Sequence, residues 1–291
     1  MKILVTGANG LVGSKFVDDC RNKYELLTPS YPEFDLTNRG LLVEYLSKNN
    51  PDVVVHFAAY TNVSEAEKQR DNEFGDCWKV NVDGTKNLIE NMDTAMTRFI
   101  NISTDMVFSG SADNPGPYNE TQIPNELSGK LTWYGYTKNV GEKVVRERFK
   151  NKATILRLIY PVRAKYEAKL DYLRKPLALF DEGKLYPMFD DQQVSIAFID
   201  EISIGLQKII DNKLFGTFHA SCPDITTPFE LVSYFIEKVR GVKNAVQRTS
   251  LGDSVRYPKY GGLKVEQTEK MLDMKFSTWK EIVDQIAQQM L

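Results

Sequence analysis

The chain has 291 residues, enough for one large domain or for a nucleotide-binding domain with a smaller partner. Its 37 basic and 39 acidic residues leave a net charge of -2, so nothing favours nucleic acid or an anionic membrane as a partner. Cys20, Cys77 and Cys222 are scattered and have no paired spacing, which predicts neither a disulfide framework nor a zinc site. No segment has the pattern of a signal peptide or a membrane span, so a cytoplasmic protein is expected.

The first predicted element is a short apolar strand that runs into a glycine-rich loop. Residues 3–5 are Ile, Leu and Val, and Gly7, Gly10 and Gly13 follow before a helical pattern begins. The first glycine permits a tight turn, the second lets the backbone approach a diphosphate, and the third lets the helix pack on the strand. A diphosphate would lie at the helix N-terminus, where unpaired N–H groups attract anions. This order of elements predicts dinucleotide binding.

Strands and helices alternate in the first half of the chain. The pattern predicts strands at 24–28, 53–59, 98–102 and 153–158, and helices at 76–92 and 134–150. The one economical arrangement of this alternation is an α/β fold with a Rossmann-like doubly wound parallel sheet.

The alternation breaks after residue 160. Helices are predicted at 169–182, 200–211, 228–240 and 278–290, with a strand at 217–220. Residues 1–160 are therefore expected to form an NAD(P)-binding domain, and residues 161–291 a smaller C-terminal α/β substrate-binding region. Residues 200–220 are expected to return to the first sheet.

Two places in the chain carry side chains suited to acid–base chemistry. Tyr134 and Lys138 are four residues apart, so a helix would place them on one face. A tyrosine has a pKa of about 10, and a neighbouring positive charge would lower that pKa. Tyr136 has no cation at the same spacing. Residues 103–105, Ser-Thr-Asp, follow a predicted strand, at the sheet edge where parallel sheets bind ligands.

The glycine loop, the threonine at a strand end and the Tyr-x-x-x-Lys pair together resemble the extended short-chain dehydrogenase/reductases. Within that superfamily the chain is similar to the dTDP-4-dehydrorhamnose reductases over nearly its whole length. The segments that carry the resemblance are 6–13 (TGANGLVG), 34–37 (FDLT), 51–61 (PDVVVHFAAYT), 80–85 (VNVDGT), 102–108 (ISTDMVF), 134–138 (YGYTK), 141–142, 216–219 and 277–279.

The resemblance implies hydride transfer from a reduced nicotinamide to the C4 ketone of a nucleotide-linked 6-deoxyhexose. Tyr134 would protonate the nascent alkoxide, Thr104 would hold the carbonyl oxygen, and Lys138 would bond the nicotinamide ribose and lower the Tyr134 pKa. The other residues expected at the cofactor are Gly7, Asn9, Gly10, Leu11, Val12, Gly13, Ser30, Asp35, Leu36, Ala58, Ala59, Tyr60, Asn81 and Ser103. Those expected at the substrate, with Thr104, are Thr61, Asp105, Met106 and Tyr160. No metal-ligating residue is identified, and any metal requirement is left open.

Four departures from the reductase pattern lie at positions expected to face the sugar. Met106 stands where tyrosine is usual, Ser109 where aspartate is frequent, and Tyr160 where tryptophan is common. Residues 161–165 lack the usual glycine-rich continuation. The identities of the sugar and its nucleotide are therefore left open.

The choice of cofactor depends on the residues after the second predicted strand. NAD-binding proteins carry an acidic residue there that bonds the ribose 2′-hydroxyl, whereas this chain has Thr28, Ser30 and Tyr31. Ser30 tolerates a 2′-phosphate, so NADP(H) is favoured and NAD(H) remains an alternative.

Two other functions remain open beside reduction. One is a nucleotide-sugar epimerase of the same superfamily; a dehydratase is disfavoured because Met106 replaces the glutamate of its Asp-Glu pair. The other is a non-catalytic NADP-binding regulator similar to the methionine adenosyltransferase β subunit. A homodimer is also left open.

His56 and His219 are expected in the core. Diphosphate binding or plain solvation are both open for Arg163, Lys165, Lys169, Arg174 and Lys175.

Overall fold

The computed structural model describes residues 1–124, 127–252 and 257–290. The first half contains β1 (Lys2–Thr6), α1 (Gly13–Cys20), β2 (Glu25–Leu27), α2 (Arg39–Asn49), β3 (Val53–His56), α3 (Val63–Glu67), α4 (Asp76–Trp78), α5 (Gly84–Asn91), β4 (Arg98–Thr104), α6 (Trp133–Phe149) and β5 (Thr154–Leu158). The second half contains β6 (Pro161–Val162), α7 (Arg174–Asp181), β7 (Met188–Phe189), β8 (Ala197–Phe198), α8 (Ile199–Asp211), β9 (Gly216–Ala220), α9 (Pro228–Arg240), β10 (Arg248–Thr249), α10 (Glu266–Leu272) and α11 (Trp279–Met290).

The main sheet has six strands in the order β2-β1-β3-β4-β5-β9. Strand β1 pairs in parallel with both β2 and β3, and β3 pairs in parallel with β4. The chain leaves β1 toward one edge of the sheet and then returns to build the other side, so the strand order reverses beside β1. Parallel sheets bind ligands at the carboxyl ends of the strands at this point. The predicted Rossmann-like α/β fold is confirmed.

Alternate residues of the central strands form the apolar core on one sheet face. Leu4, Val54, Phe99 and Ile155 are buried there against helices α2, α5 and α6. The rings of Phe99 and Phe149 stack with their centroids 5.7 Å apart. This packing fixes α6 on β4 and β5, and therefore sets where its side chains meet the sheet edge.

Contacts divide the chain into two compact units. The first comprises residues 1–108, 123–157 and 206–218, and the second comprises residues 109–122, 158–205 and 219–291. The second has its own core, in which helices α9 and α11 pack together. The division of function between residues 1–160 and 161–291 stays a prediction.

Two predicted helices have different limits in the structure. The helix expected over 76–92 is interrupted by a π-helical segment, Lys79–Asp83, between α4 and α5. The helix expected over 169–182 begins only at Arg174, because Asp171 Oδ1 accepts the backbone N–H groups of Leu173 and Arg174 and thereby starts the helix there. Among the residues described, no helix combines the length and apolar character needed to cross a bilayer.

Candidate active site

The loop between β1 and α1 is packed too closely for side chains at two of its glycines. Gly7 has a φ of +67°, and a Cβ there would lie 2.7 Å from the Ala58 nitrogen. A Cβ at Gly13 would overlap the Gly7 carbonyl oxygen, while the Gly10 N–H donates to that same oxygen at 2.9 Å. The N-cap residue of α1 is Val12, whose apolar side chain makes no cap hydrogen bond. Exposed backbone at an uncapped helix N-terminus fits a dinucleotide diphosphate.

Strand β3 ends at His56, earlier than predicted, because side chains satisfy the backbone that follows it. The Ala58 N–H donates to Thr6 Oγ1 at 3.2 Å, and the Tyr60 N–H donates to Asn81 Oδ1 at 2.8 Å. Residues 57–60 therefore leave the sheet beside the glycine loop. This places Ala58, Ala59 and Tyr60 at the carboxyl end of β3.

Asn81 joins that loop to helix α6. Its Nδ2 donates to the Tyr60 carbonyl at 3.2 Å and to Thr137 Oγ1 at 3.0 Å. Thr137 Oγ1 in turn donates to the Tyr134 carbonyl at 2.8 Å. Asn81 lies in the π-helical segment, and such segments are frequent at functional sites. The Asn81 side chain therefore links the predicted cofactor loop to the helix that carries Tyr134.

Three contacts fix the first turn of α6. Thr132 is the N-cap and accepts the Gly135 N–H at 3.0 Å, and Glu67 of α3 accepts the Trp133 N–H at 2.9 Å. A Cβ on Gly135 would overlap the Met106 carbonyl oxygen. The glycine therefore lets α6 approach the turn that follows β4 more closely than any other residue would.

This approach brings the predicted catalytic residues together. The hydroxyls of Thr104 and Tyr134 form a hydrogen bond. Thr104 Oγ1 also donates to Asp105 Oδ1 at 3.0 Å and accepts the Met106 N–H at 3.3 Å. Lys138 lies one helical turn beyond Tyr134 with 4% of its surface exposed. Thr104 at the end of β4 and Tyr134 on α6 are 30 residues apart in the sequence, and they meet at one edge of the sheet.

The expectation that the pKa of Tyr134 is lowered is wrong for this structure. Burial of the phenol and the charge of Asp105 raise the Tyr134 pKa, and the hydrogen bond with Thr104 offsets only part of that increase. Sequence spacing shows which cation lies near but not how much water is excluded. With its pKa raised, Tyr134 keeps its proton at neutral pH and can act as a proton donor.

Burial also lowers the pKa values of Lys138 and His56. Burial lowers the pKa of Lys138 to about 8, although the charge of Glu142 raises it. Burial lowers the pKa of His56 to about 3. Both ring nitrogens of His56 are bonded, to Thr6 and to Thr85. The prediction that His56 is a core residue is confirmed.

Comparison with known proteins places the chain in a family. All of it, residues 1–291, matches the family described as the RmlD substrate binding domain. The chain belongs to this family. It is 28% identical to a dTDP-4-dehydrorhamnose reductase of Sinorhizobium fredii, over 97% of this chain and 95% of that protein. It is 27% identical to the methionine adenosyltransferase 2 subunit beta of Bos taurus, over 79% of this chain and 70% of that protein.

Solved structures agree with this assignment to the RmlD family. The crystal structure of dTDP-4-dehydrorhamnose reductase from Bacillus anthracis in complex with NADP superposes with a TM-score of 0.85. The two proteins are 25% identical, and the alignment covers 100% of this chain and 99% of the other. The resemblance to the reductase family inferred from the sequence motifs is therefore confirmed.

The remaining residues predicted at the cofactor lie on both sides of the glycine loop. Ser30 is exposed beyond the end of β2. The Asp35 carboxylate accepts the Thr37 N–H at 2.8 Å, and the buried Leu36 packs against Gly84 at the start of α5. Asn9, Gly10, Leu11 and Val12 form the partly or fully exposed part of the loop, and Ser103 is buried in β4. Their roles toward a cofactor stay predictions.

The residues predicted at the substrate are distributed over both compact units. Thr61 is exposed before α3, while Asp105 and Met106 are buried in a 3₁₀ turn after β4. Tyr160 belongs to the second unit, has a φ of +36° and stacks on Tyr172 at a centroid distance of 4.2 Å. A non-glycine residue with positive φ stores backbone strain, which is common at functional positions.

Two residues of the second unit have structural roles. His219 is buried, and its Nδ1 lies 2.9 Å from the Lys264 carbonyl oxygen, as expected for a core histidine. Arg174, one of the cations for which diphosphate binding was open, is buried and bonds Asp171 at 2.7 Å and the Tyr166 carbonyl at 2.6 Å. Through these contacts the guanidinium stabilises the loop that precedes α7.

Asp105 is expected to lower the stability of the folded protein at high pH. The residue is 5% exposed, and burial raises the pKa of its carboxyl group from 3.8 to about 7. In the unfolded chain the group ionises near 3.8. Between those values the folded state binds the additional proton, so the free energy of unfolding falls as pH rises through this window. Above about pH 7 the full penalty remains, because the folded state must hold a buried charge.

We therefore expect Asp105→Asn to raise the free energy of unfolding by a few kcal/mol at about pH 8, with the gain vanishing near pH 4. Urea denaturation of both proteins at the two pH values measures the difference. Asp181→Asn, at an exposed carboxylate that pairs with Arg240, is the control and should give no gain at either pH. An equal gain from Asp105→Asn at both pH values would contradict the assignment of the penalty to ionisation.

One polar pair near the site was not predicted to have a role. Glu142, four residues after Lys138, forms a buried ion pair with Arg157 of β5. The spacing on α6 was visible in the sequence, but the partner in β5 was not. In the sequence, Arg157 is one charged residue within a largely apolar strand. Only the assembled sheet shows that its partner is Glu142.

Proposed function

We propose that this protein uses NADPH to reduce the C4 keto group of a dTDP-linked 4-dehydro-6-deoxyhexose. The observation that carries the proposal is the hydrogen bond between the hydroxyls of Thr104 and Tyr134, with Lys138 one turn farther along α6. Support for the substrate comes from the family and from relatives named dTDP-4-dehydrorhamnose reductase.

The residues divide the task between binding and proton transfer. The bound nicotinamide would supply the hydride. Gly7, Gly10 and the N-terminus of α1 would hold the diphosphate, and Lys138 would bond the nicotinamide ribose. Thr104 would orient the keto oxygen by a hydrogen bond. These contacts would bring the carbonyl carbon beside the cofactor and its oxygen beside Tyr134.

Tyr134 would deliver its hydroxyl proton to the oxygen as negative charge develops there. Its raised pKa keeps that proton in place until the alkoxide, a stronger base, is present. Lys138 would stabilise the tyrosinate that results, since an opposite charge nearby favours an ionised group. Reduction therefore needs Tyr134 protonated and Lys138 cationic at the same pH.

The test is loss of NADPH absorbance with dTDP-4-dehydro-6-deoxyhexoses as substrates. Turnover that yields the 4-hydroxy sugar supports the proposal. Sugar isomerisation without consumption of NADPH would favour an epimerase instead. NADPH binding without any turnover, together with a specific protein partner, would favour the regulatory role suggested by the relative named methionine adenosyltransferase 2 subunit beta. A cytoplasmic location and a homodimer stay predictions, and light scattering tests the second.

The preference for NADPH is tested at Ser30. We expect Ser30→Asp to weaken NADPH binding about tenfold, because the new carboxylate would repel a 2′-phosphate, and to strengthen NADH binding. Titration of both cofactors by fluorescence measures the change. Ser47→Asp adds the same charge at an exposed position of α2 and should leave both affinities unchanged. Equal losses for NADPH and NADH would show that Ser30 does not face the 2′-position.

A further inference from the structure

Glu142 and Arg157 form a buried, two-pronged ion pair beneath α6. Their side chains are 1% and 0% exposed. Arg157 Nε donates to Glu142 Oε1 at 2.9 Å, and Nη2 donates to Oε2 at 2.8 Å. Burying two charges costs about as much as their attraction returns, so an apolar pair would serve stability equally well. The pair therefore calls for a role beyond stability.

The position of Glu142 suggests that role. It lies four residues after Lys138, so the two side chains emerge one turn apart on the same face of α6. Both are buried, and the carboxylate charge acts on the ammonium in the direction that keeps it ionised. Arg157 also stacks over the Phe108 ring at 4.9 Å, which anchors its guanidinium at the end of the segment after β4.

The other titratable groups around this cluster come from each neighbouring element. Cys77 of α4 is one of the groups that raise the pKa of Lys138. His56 of β3 is neutral because burial lowers its pKa to about 3. The charge of Asp105 raises the pKa of Tyr134. On the far side of the pair, Arg146 of α6 approaches Glu142 at 3.4 Å and is partly exposed.

We propose that Glu142, held in place by Arg157, is a positioning residue that keeps Lys138 cationic in its buried site. The carboxylate offsets the cost of burying the ammonium, and Arg157 prevents the carboxylate from rotating away or taking up a proton. Lys138, Glu142 and Arg157 together carry one net positive charge. That charge complements the anionic tyrosinate that Tyr134 becomes. Only the effect on turnover rests on the proposed reductase function.

The pH dependence of NADPH affinity tests this without any turnover. In the native protein we expect NADPH affinity to fall above about pH 8, where Lys138 loses its proton. Lys138→Met should flatten this fall and so identify the part of the pH dependence that belongs to Lys138. In Glu142→Gln the midpoint of that loss should move down by about one pH unit or more, because the ammonium loses its counter-charge. Arg146→Gln, which removes only the partly exposed partner of Glu142, should leave the midpoint unchanged.

A double variant separates the charge of Glu142 from its packing. Glu142→Gln removes the carboxylate that neutralises the buried guanidinium of Arg157, which can unfold the protein, whereas Glu142→Gln with Arg157→Gln leaves a neutral hydrogen-bonding pair. We expect the double variant to fold, by thermal melting and circular dichroism, and still to show the lowered midpoint. A native midpoint in the folded double variant would overturn the proposal, as would a Lys138→Met protein with the native pH dependence. Failure of the native protein to reduce any sugar would instead count against the proposed function alone.

Discussion

Replacement of Tyr134 by Phe is expected to lower kcat for reduction of the dTDP-linked sugar about a thousandfold. The change removes only the hydroxyl that would protonate the alkoxide, and it leaves the ring and its position on α6 intact. NADPH affinity should stay within about threefold of the native value, since the fold and the glycine loop are unaffected. Steady-state kinetics and an NADPH titration on the same preparation measure both quantities.

Tyr136→Phe is the matched control for this substitution. Tyr136 lies on the same helix, and its ring stacks on Trp133 at a centroid distance of 5.5 Å. Removing its hydroxyl should keep that stacking and change kcat less than about twofold. If Tyr134→Phe retained most of the native turnover, or if both variants lost it equally, Tyr134 would not be the proton donor.

The second large effect is expected at Gly135. A Cβ at this position would overlap the carbonyl oxygen of Met106, and that atom belongs to the backbone and cannot rotate away. In Gly135→Ala the first turn of α6 must therefore move from the 3₁₀ turn after β4, which separates the hydroxyls of Tyr134 and Thr104. We expect a loss of activity of about a hundredfold and of about 1–3 kcal/mol in the free energy of unfolding.

The control is Gly129→Ala in the loop before α6. Apart from its two chain neighbours, no heavy atom of the described residues lies within 4 Å of a Cβ placed there, so the same substitution should leave turnover and stability nearly native. Urea denaturation and sugar reduction compare the two variants. Native activity in Gly135→Ala would mean that the helix can shift without disturbing the site, which would contradict the importance given to this contact.

Local patterns in the sequence were sufficient for the fold, and they predicted the main side chains of the candidate site. The glycine loop after β1, the Ser-Thr-Asp run after β4 and the Tyr134–Lys138 spacing each reflect the geometry of one short segment, and that geometry follows from turn and helix periodicity. The same periodicity predicted helix α9 at its observed limits, 228–240, where Thr227 and Glu230 form a capping box.

Only the tertiary structure decided the electrostatics of the site. Spacing on a helix predicted a lowered pKa for Tyr134, but the pKa is raised, because burial and the charge of Asp105 outweigh the hydrogen bond with Thr104. The amount of water excluded at a residue depends on what other segments pack over it, and a local pattern does not contain that information.

The close contacts that assemble the site were equally invisible in the sequence. Gly135 lies against Met106, Asn81 joins the β3 loop to α6 from a π-helical segment, and Glu142 meets Arg157 across the helix–sheet interface. Each contact pairs residues from separate elements. The sequence by itself therefore determined which chemical groups are present and in which elements they lie. Packing decided which groups meet and how they ionise, because distances and burial exist only once the elements are assembled.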